Sequence, residues 1–247
     1  MRILLCLLCA CLVYGIDTNP VRERIISVDS KQISFRAGNL KIGQSGIVLT
    51  HKEGYNAIVA NALIVDINDG IAYASYEKFD VIKQKYLPTP TNKPKVDDEV
   101  LFGGFYNKSI AIAPDQESYN KILSLQSRTE FLHIDVFGAF LAKDSINDPK
   151  PKHFKSFCNI YSVGLVYILA TNGVNVLDCQ SFSILEEIPF EKPNLTSTQS
   201  PFFSRIAKIE TGSIASKLRS KKSKNYFAYY DKLLKAELNI FHSRGKE

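Results

Sequence analysis

CNIYSVGLVYILATNGVNVLDCQ, residues 158–180, predicts a β-hairpin that organises the second half of the chain. Two runs of β-branched and aromatic residues flank Asn172-Gly173, a pair that favours the positive φ angles of a type I′ turn. A two-residue turn at this pair places Val166 opposite Cys179. FSILEEIPF, residues 182–190, then predicts a third strand of the same sheet.

The first half of the chain also has the pattern of strands. Short β-branched runs separated by turn residues extend over residues 24–77, with tight turns expected at Asp29-Ser30 and at Asn68-Asp69-Gly70. YLPTPTNKPK, residues 86–95, is expected to be an extended connector because its prolines lack backbone donors. EVLFGGFYN and KSIAIAP, residues 99–114, predict another hairpin that turns at Asn107-Lys108.

Three segments have helical signals. Asp115 is expected to cap a helix that ends near Gln126, and Asp135 a short apolar one over residues 136–143. The last helix is predicted from about Asn225 to Phe241, with Tyr229 facing outward. Its buried stripe comprises Phe227, Tyr230, Leu234, Leu238 and Phe241. The expected fold class is α+β: mainly antiparallel β, with a barrel- or sandwich-like N-terminal half, a hairpin or meander in the C-terminal half, and this amphipathic C-terminal helix.

Residues 1–15 have the pattern of a secretory signal peptide. Arg2 precedes an apolar run from Ile3 to Val13, which is too short for a permanent membrane span. Two alternatives remain open: a lipobox that leaves Cys11 lipidated, and an N-terminal helix buried in the fold. Cleavage after Gly15 would remove three of the five cysteines.

The two remaining cysteines, Cys158 and Cys179, are expected to form a disulfide, because an even number in an exported chain favours pairing. The alternative is two small buried thiols. The expected hairpin register does not place the two cysteines opposite each other. The bridge therefore requires Cys158 to bend back over the sheet, or a different register.

The positive charge is concentrated at the C-terminal end. The formal net charge is +6, while residues 205–247 alone carry 11 Lys and Arg against 4 Asp and Glu, a net of +7. Five of these cations fall within residues 216–224. This asymmetry indicates either a partner-facing segment or a solvated basic face. We expect residues 216–224 to form an exposed strap that leads into a docked helix.

No motif points to catalysis, a cofactor or a metal. The four histidines lack the spacing of a metal pair, and the chain contains no GxSxG, HExxH or phosphate-cradling glycine loop. We therefore expect no catalytic residue, no metal and no cofactor. Nucleic acid is an unfavourable partner for an exported chain, and an anionic membrane would need an apolar insertion face that the sequence does not reveal. A protein partner fits the basic segment best.

Several blocks of the sequence resemble the N-terminal domain of bacterial plasminogen-binding proteins. They are CNIYSVGLVYI, TNGVNVLDCQSFSILE, PFFSRI, SKNYFAYYD, YLPTP and IAP, and the resemblance extends over roughly residues 20–232. It implies an exported, non-enzymatic protein of the periplasm, outer membrane or cell surface of a Gram-negative bacterium. The implied layout is a signal peptide over 1–15, the domain over 16–241 with a sub-boundary near 150, and a tail over 242–247.

The resemblance implies that host plasminogen is bound through exposed lysines. A kringle module accepts a lysine ammonium against paired acids and aromatic rings, and a nearby carboxylate pairs with its cations. A lysine at the C-terminus supplies both charges, but this sequence ends in Glu247 and has no Lys/Glu-rich tail. The expected binding residues are Lys246 beside Glu247, then the cluster of Lys221, Lys222 and Lys224, and Lys235 near Glu237. The alternative is a structural or assembly protein of the envelope without plasminogen activity. Membrane association through the envelope or through Cys11 also remains open.

Overall fold

The protein folds around two β-sheets that follow one another along the chain. The computed structural model describes residues 16–52, 54–79, 92–126, 128–191, 198–206 and 223–244. Two hydrophobic cores accompany the sheets: one within the first sheet, and a larger one between the second sheet and its helices. Together they form the α+β architecture that the sequence predicts.

The first sheet has seven strands, and all of its neighbouring pairs are antiparallel. The strands are β1 (Val21–Arg24), β2 (Ser27–Val28), β3 (Gln32–Arg36), β4 (Ser45–Lys52), β5 (Tyr55–Asn68), β6 (Ile71–Lys78) and β7 (Glu99–Phe102). Their order in the sheet is β1-β7-β4-β5-β6-β3-β2.

Both tight turns expected in this sheet are present. The Asp29 carboxylate accepts hydrogen bonds from the backbone N–H groups of Lys31 (2.9 Å) and Gln32 (2.8 Å), which closes the turn between β2 and β3. Asp69 and Gly70 have φ angles of 49° and 76° between β5 and β6. Glycine and aspartate tolerate this left-handed region, so the local sequence determines where the long β5–β6 hairpin reverses.

The first sheet is curled into a half-barrel, as the barrel-like pattern of the sequence predicts. The short link between β1 and β2 contacts β3 on one side of the half-barrel and the residue that precedes β7 on the other. Ile25 N donates to Asp98 O (2.9 Å), and Ile26 N donates to Ser34 O (2.8 Å). One continuous segment therefore joins β7 to β3, the strands beside the two edges of the sheet.

The second sheet has five strands and is mixed. Its strands are β8 (Lys108–Ile112), β9 (Glu130–Phe131), β10 (Leu165–Ala170), β11 (Gly173–Asp178) and β12 (Ile184–Ile188), in the order β12-β11-β10-β8-β9. β10, β11 and β12 form an antiparallel meander, as predicted, but β8 pairs in parallel with both β10 and β9.

The hairpin predicted over residues 99–114 is wrong, because its two strands belong to different sheets. β7 lies in the first sheet and β8 in the second, and the chain crosses between them at residues 103–107. Gly103 has a φ of 67° and bends the chain at this crossing. The sub-boundary expected near residue 150 lies within the second sheet's half of the chain.

The central hairpin has a different register from the predicted one. Ala170 pairs with Gly173, and Val166 pairs with Leu177 rather than with Cys179, so the loop consists of Thr171 and Asn172. Gly173 lies in β11 with a φ of 134°, and packing also excludes a side chain there. A Cβ atom on it would lie 2.5 Å from the backbone oxygen of Ile188 at the end of the neighbouring strand.

Four helices are described. They are α1 (Gln116–Leu123), α2 (Ile134–Lys143), α3 (Pro151–Tyr161) and α4 (Tyr226–Arg244). Asp115 caps α1 as predicted, since its carboxylate accepts from Ser118 N at 2.9 Å. The cap of α2 is His133 rather than the predicted Asp135.

Helix α3 replaces the strand predicted for residues 158–163. Pro151 begins the helix, where its missing N–H costs no hydrogen bond. Phe154, Phe157 and Cys158 are buried at helical spacing, and Ser162 ends the helix with a φ of 55°. The alternation that suggested a strand therefore applies only from Leu165 onward.

The disulfide expected between Cys158 and Cys179 is present in the structure. Cys158 lies on α3 and Cys179 directly after β11, and their Cα atoms are 6.2 Å apart. The bridge thus joins the helix to the sheet that it covers. This geometry matches the expected alternative in which Cys158 bends back over the sheet.

Candidate partner-binding surface

The first half of α4 is anchored in the core of the second sheet. Tyr226 and Tyr230 are fully buried, and Leu234 is 5% exposed. The Tyr226 hydroxyl donates to Ile112 O at 2.9 Å, and the ring centroids of the two tyrosines are 4.6 Å apart. Burial raises the pKa of both phenols well above the usual range. This half of the helix therefore has a fixed orientation on the sheet.

The predicted buried stripe of α4 is shifted at its start. Tyr226 occupies the core position that the sequence assigned to Phe227, while Phe227 is half-buried beside it. Tyr230 and Leu234 are buried as predicted. The stripe positions Leu238 and Phe241 lie outside the residues whose side chains are described.

The prediction that Tyr229 faces outward is wrong. Its ring is half-buried against Tyr230, and its hydroxyl donates to Pro149 O at 2.7 Å. Burial, together with the charge of Asp148, raises its pKa to about 12. The aromatic residues of the first half of α4 are therefore used for docking the helix, and not for an exposed ligand platform.

The segment that enters α4 is fixed by Asp148, in the loop before α3. The carboxylate of Asp148 accepts from Ser223 N at 2.9 and 3.1 Å, and Ser200 Oγ donates to Ser223 O at 2.6 Å. One residue after Lys224, Asn225 caps the helix by accepting from Ala228 N at 3.1 Å. Lys224 thus lies between two fixed points of the backbone.

A second aspartate attaches α4 to the central hairpin. Asp231 accepts from the backbone N–H of Thr171 (2.9 Å) and from its hydroxyl (2.6 Å), so the hairpin loop and the helix hold one another. Like Asp148, Asp231 accepts hydrogen bonds from uncharged donors among the described residues. These two aspartates therefore position the helix through hydrogen bonds to backbone and hydroxyl groups.

The segment before the basic stretch is held by Asp135 on α2. Asp135 accepts from Ser204 Oγ (2.8 Å), Arg205 N (2.9 Å) and Arg205 Nε (2.9 Å). Partial burial opposes ionisation, but these hydrogen bonds and the nearby His133 lower the pKa of Asp135 overall. The described chain is therefore anchored on both sides of residues 207–222.

Two of the predicted binding lysines, Lys224 and Lys235, are described and exposed. Lys232 is exposed one turn before Lys235 on α4 and was not predicted. Lys221, Lys222 and Lys246 lie outside the described residues, and so does the side chain of Glu237. Exposed ammonium groups on a fixed helix can donate charge-assisted hydrogen bonds to a partner's carboxylates with little ordering of the backbone.

No group of three or more His, Cys, Asp and Glu side chains within the described ranges could hold a metal ion. In the same part of the chain, no helix is long and apolar enough to cross a membrane.

The sequence showed the lysines but not the residues that fix them. Lysine clusters are visible in any local window, whereas Asp148 and Asp231 act on residues 75 and 60 positions away. In the sequence, residues 148–151 indicate only the sub-boundary expected near residue 150. No local pattern could indicate that Asp148 accepts a hydrogen bond from the backbone N–H of Ser223.

Comparison with known proteins assigns the chain to the N-terminal domains of plasminogen-binding proteins. Residues 20–234 match the family model described as plasminogen-binding protein pgbA N-terminal. The chain therefore belongs to this family, which confirms the resemblance seen in the sequence. The match ends on α4, at the last residue of its described buried face.

Two curated relatives are plasminogen-binding proteins PgbA of Helicobacter pylori. The protein of strain J99 is 39% identical over 220 residues, which cover 88% of this chain and 48% of the relative. The protein of strain 26695 is 38% identical over the same length, with the same coverage. The chain thus spans about half the length of the curated relatives that it matches.

Proposed function

We propose that this protein is an exported, non-enzymatic binder of host plasminogen. The observation that carries the proposal is the family match over residues 20–234, together with two curated relatives named for plasminogen binding. The exposed lysines at the anchored start of α4 give this function a physical site. We assign binding to Lys246, Lys221, Lys222, Lys224 and Lys235.

The proposed contact is that of a lysine ammonium with a kringle domain. Paired carboxylates of the kringle would accept hydrogen bonds from Nζ, and its aromatic rings would lie along the alkyl stem. Lys224 and Lys235 project from a segment whose backbone is fixed by Asp148, Asp231 and the buried tyrosines. Binding through them would order only side chains, which limits its entropic cost.

Export is part of the same proposal. The pattern of residues 1–15 is that of a signal peptide that precedes a domain over 16–241, with residues 242–247 after it. The Cys158–Cys179 disulfide is consistent with an oxidising compartment, because such bridges persist outside the cytosol. We therefore place the mature protein in the periplasm, in the outer membrane or at the cell surface of a Gram-negative bacterium.

One observation favours the alternative, a structural or assembly role in the envelope. The chain matches only 48% of each PgbA relative, so the remaining half of those proteins can carry the activity for which they are named. On this alternative, the domain described above would be a scaffold without affinity for plasminogen.

Plasminogen capture by the purified protein distinguishes the two functions. The immobilised chain is incubated with plasminogen, with and without a soluble lysine analogue that occupies kringle sites. We expect capture that the analogue abolishes. Capture that persists in the analogue would contradict binding through lysines, and no capture at all would support the envelope role.

A further inference from the structure

We propose that the outward side of α3, with the adjoining crossover loop, is a docking surface for an anionic lipid bilayer. This surface, the α3 patch, combines exposed lysines with exposed apolar side chains. It comprises Lys150, Lys152, Lys155, Phe105, Ile160 and Tyr161. It is separate from the lysines assigned to plasminogen binding.

The positive charge of the α3 patch is not balanced by acids on its own element. The chain contains no Asp or Glu from residue 149 to residue 177, while Lys150, Lys152 and Lys155 are all exposed. Lys152 and Lys155 are three residues apart and therefore share the outer face of the helix. Lys155 Nζ lies 4.0 Å from Glu77 Oε1, and both side chains are more than half exposed, so this pair is weak.

The charges of Lys150 and Lys152 act on His153, which lies beside them at the start of α3. Partial burial lowers the pKa of His153, and the charges of Lys152 and Lys150 lower it further, while Asp144 acts in the opposite direction. Lys150 and Lys152 thus act on one location at the start of α3. Exposed lysines attract an anionic lipid surface by about 1 kcal/mol each.

The apolar part of the α3 patch lies at the end of the helix. Ile160 is 63% exposed, Phe105 55% and Tyr161 36%. The backbone of Phe105 lies against Gly164, where a Cβ atom would come within 2.4 Å of it. Lys108 Nζ donates to Tyr161 O at 3.4 Å, which places the crossover loop beside the helix end. The sequence did not reveal an apolar insertion face, and these residues supply one.

A bilayer fits this surface better than a peptide does. Peptide recognition uses a groove or pocket, and neither the recess beside Phe102 nor the one beside His51 includes a residue of the α3 patch. Surfaces that present lysines together with exposed aromatic and aliphatic side chains suit the flat, anionic interface of a membrane. The contact would be peripheral, with the apolar side chains at headgroup level.

Vesicle sedimentation tests the proposal. The full chain is mixed with vesicles of equimolar phosphatidylglycerol and phosphatidylcholine, and in parallel with vesicles of phosphatidylcholine alone. Two patch variants are compared with the unmodified chain: Lys152→Gln with Lys155→Gln, and Phe105→Ser with Ile160→Ser. The matched control is Ile42→Ser, which changes an exposed isoleucine (46%) elsewhere on the surface.

We expect tighter binding to the anionic vesicles, with a loss of about fivefold for each lysine replaced. The serine variant should also bind several-fold more weakly, while Ile42→Ser binds like the unmodified chain. All variants share residues 1–15, so any difference reports the patch and not the leader. The changed residues are exposed, and circular dichroism checks that each variant is folded.

Equal binding to both kinds of vesicle would overturn the proposal, as would patch variants that sediment like the control. Soluble polyglutamate is included in a third arm. If it binds the chain through Lys152 and Lys155 while the anionic vesicles do not, the partner is an acidic protein segment and the lipid proposal is wrong.

Discussion

Asp178 lies at the junction of the two sheets, fully buried. One carboxylate oxygen accepts from Ser45 N (2.9 Å), Ser45 Oγ (2.7 Å) and the Tyr106 hydroxyl (2.7 Å). The other accepts from the backbone N–H groups of Gln180 (2.9 Å) and Ser181 (2.8 Å). Because Ser45 begins β4 and Asp178 ends β11, a single side chain joins the first sheet to the second.

Replacing this carboxylate should destabilise the whole protein. In Asp178→Asn, an NH₂ group would replace one of the two carboxylate oxygens. The N–H or O–H groups that now donate to that oxygen would lose their acceptor and remain buried without a hydrogen bond. We expect the free energy of unfolding to fall by about 3 kcal/mol, measured by urea denaturation. Asp69→Asn is the matched control, since asparagine tolerates the left-handed conformation of that turn. A similar small change in both variants would show that the junction does not depend on the charge.

His153 should make stability depend on pH. Its Nδ1 atom accepts from Lys150 N at 3.0 Å at the start of α3, and a protonated ring cannot accept there. Partial burial and the charges of Lys152 and Lys150 lower its pKa below 6.5 in the folded state. The unfolded chain therefore binds the proton more readily, and stability decreases as pH falls from 6.5 toward the folded-state pKa.

The variant His153→Gln isolates this contribution. Glutamine at the third helical position can accept the same backbone hydrogen bond but does not titrate. Urea denaturation of both proteins at several pH values from neutral to mildly acidic should show a steeper loss of stability for the unmodified chain. Parallel pH profiles would contradict the assignment.

At the scale of elements, the disulfide should stabilise the packing of α3 on the second sheet. It joins cysteines 21 positions apart and fixes the helix on the meander. Closing a loop of this size restricts the unfolded chain by about 3 kcal/mol. We expect the double variant Cys158→Ala, Cys179→Ala to lose stability of this order under oxidising conditions.

A reductant provides the control for this prediction. It should lower the urea midpoint of the unmodified chain toward that of the double variant and leave the double variant unchanged. If the reduced and oxidised forms unfold at the same midpoint, the bridge contributes nothing to stability.

Turns and helix caps could be predicted well from the sequence where they depend on neighbouring residues. The β5–β6 turn at Asp69-Gly70 and the Asp115 cap of α1 both depend on residues within a few positions of one another. The hairpin at residue 172 was predicted, but its register was not. The glycine that suggested the turn does have a positive φ of 134°, but it lies in β11, where Ile188 of the neighbouring strand also leaves no room for a Cβ atom.

Helix α3 could not be predicted from its own residues. CNIYSV continues the alternation of the strand that follows it, and β-branched or aromatic residues favour strands in such a window. Its helical form depends on burying Phe154, Phe157 and Cys158 against the second sheet. Tertiary packing therefore overrides local propensity at this element.

At the scale of the whole molecule, the sequence predicted the α+β class and the curled first sheet but not the division between sheets. Nothing in residues 99–114 shows that β7 joins β4 while β8 pairs in parallel with β10, because partners so distant in sequence leave no local pattern. The same limit applies to the candidate site. The lysines were visible, whereas Asp148, which fixes the entrance to α4, was not.

The proposed plasminogen site is most directly tested by a charge-matched comparison of plasminogen affinity. One variant changes the five proposed binding lysines to glutamine. The control changes five lysines elsewhere, all of them exposed, and so has the same net charge; they are Lys31, Lys78, Lys93, Lys95 and Lys143. Affinity for plasminogen is measured for both variants and for the unmodified chain by equilibrium titration.

We predict that the five-site variant loses at least tenfold in affinity, which corresponds to about 1.4 kcal/mol, while the control binds like the unmodified chain. Equal affinities for the two variants would contradict the assignment of binding to these lysines.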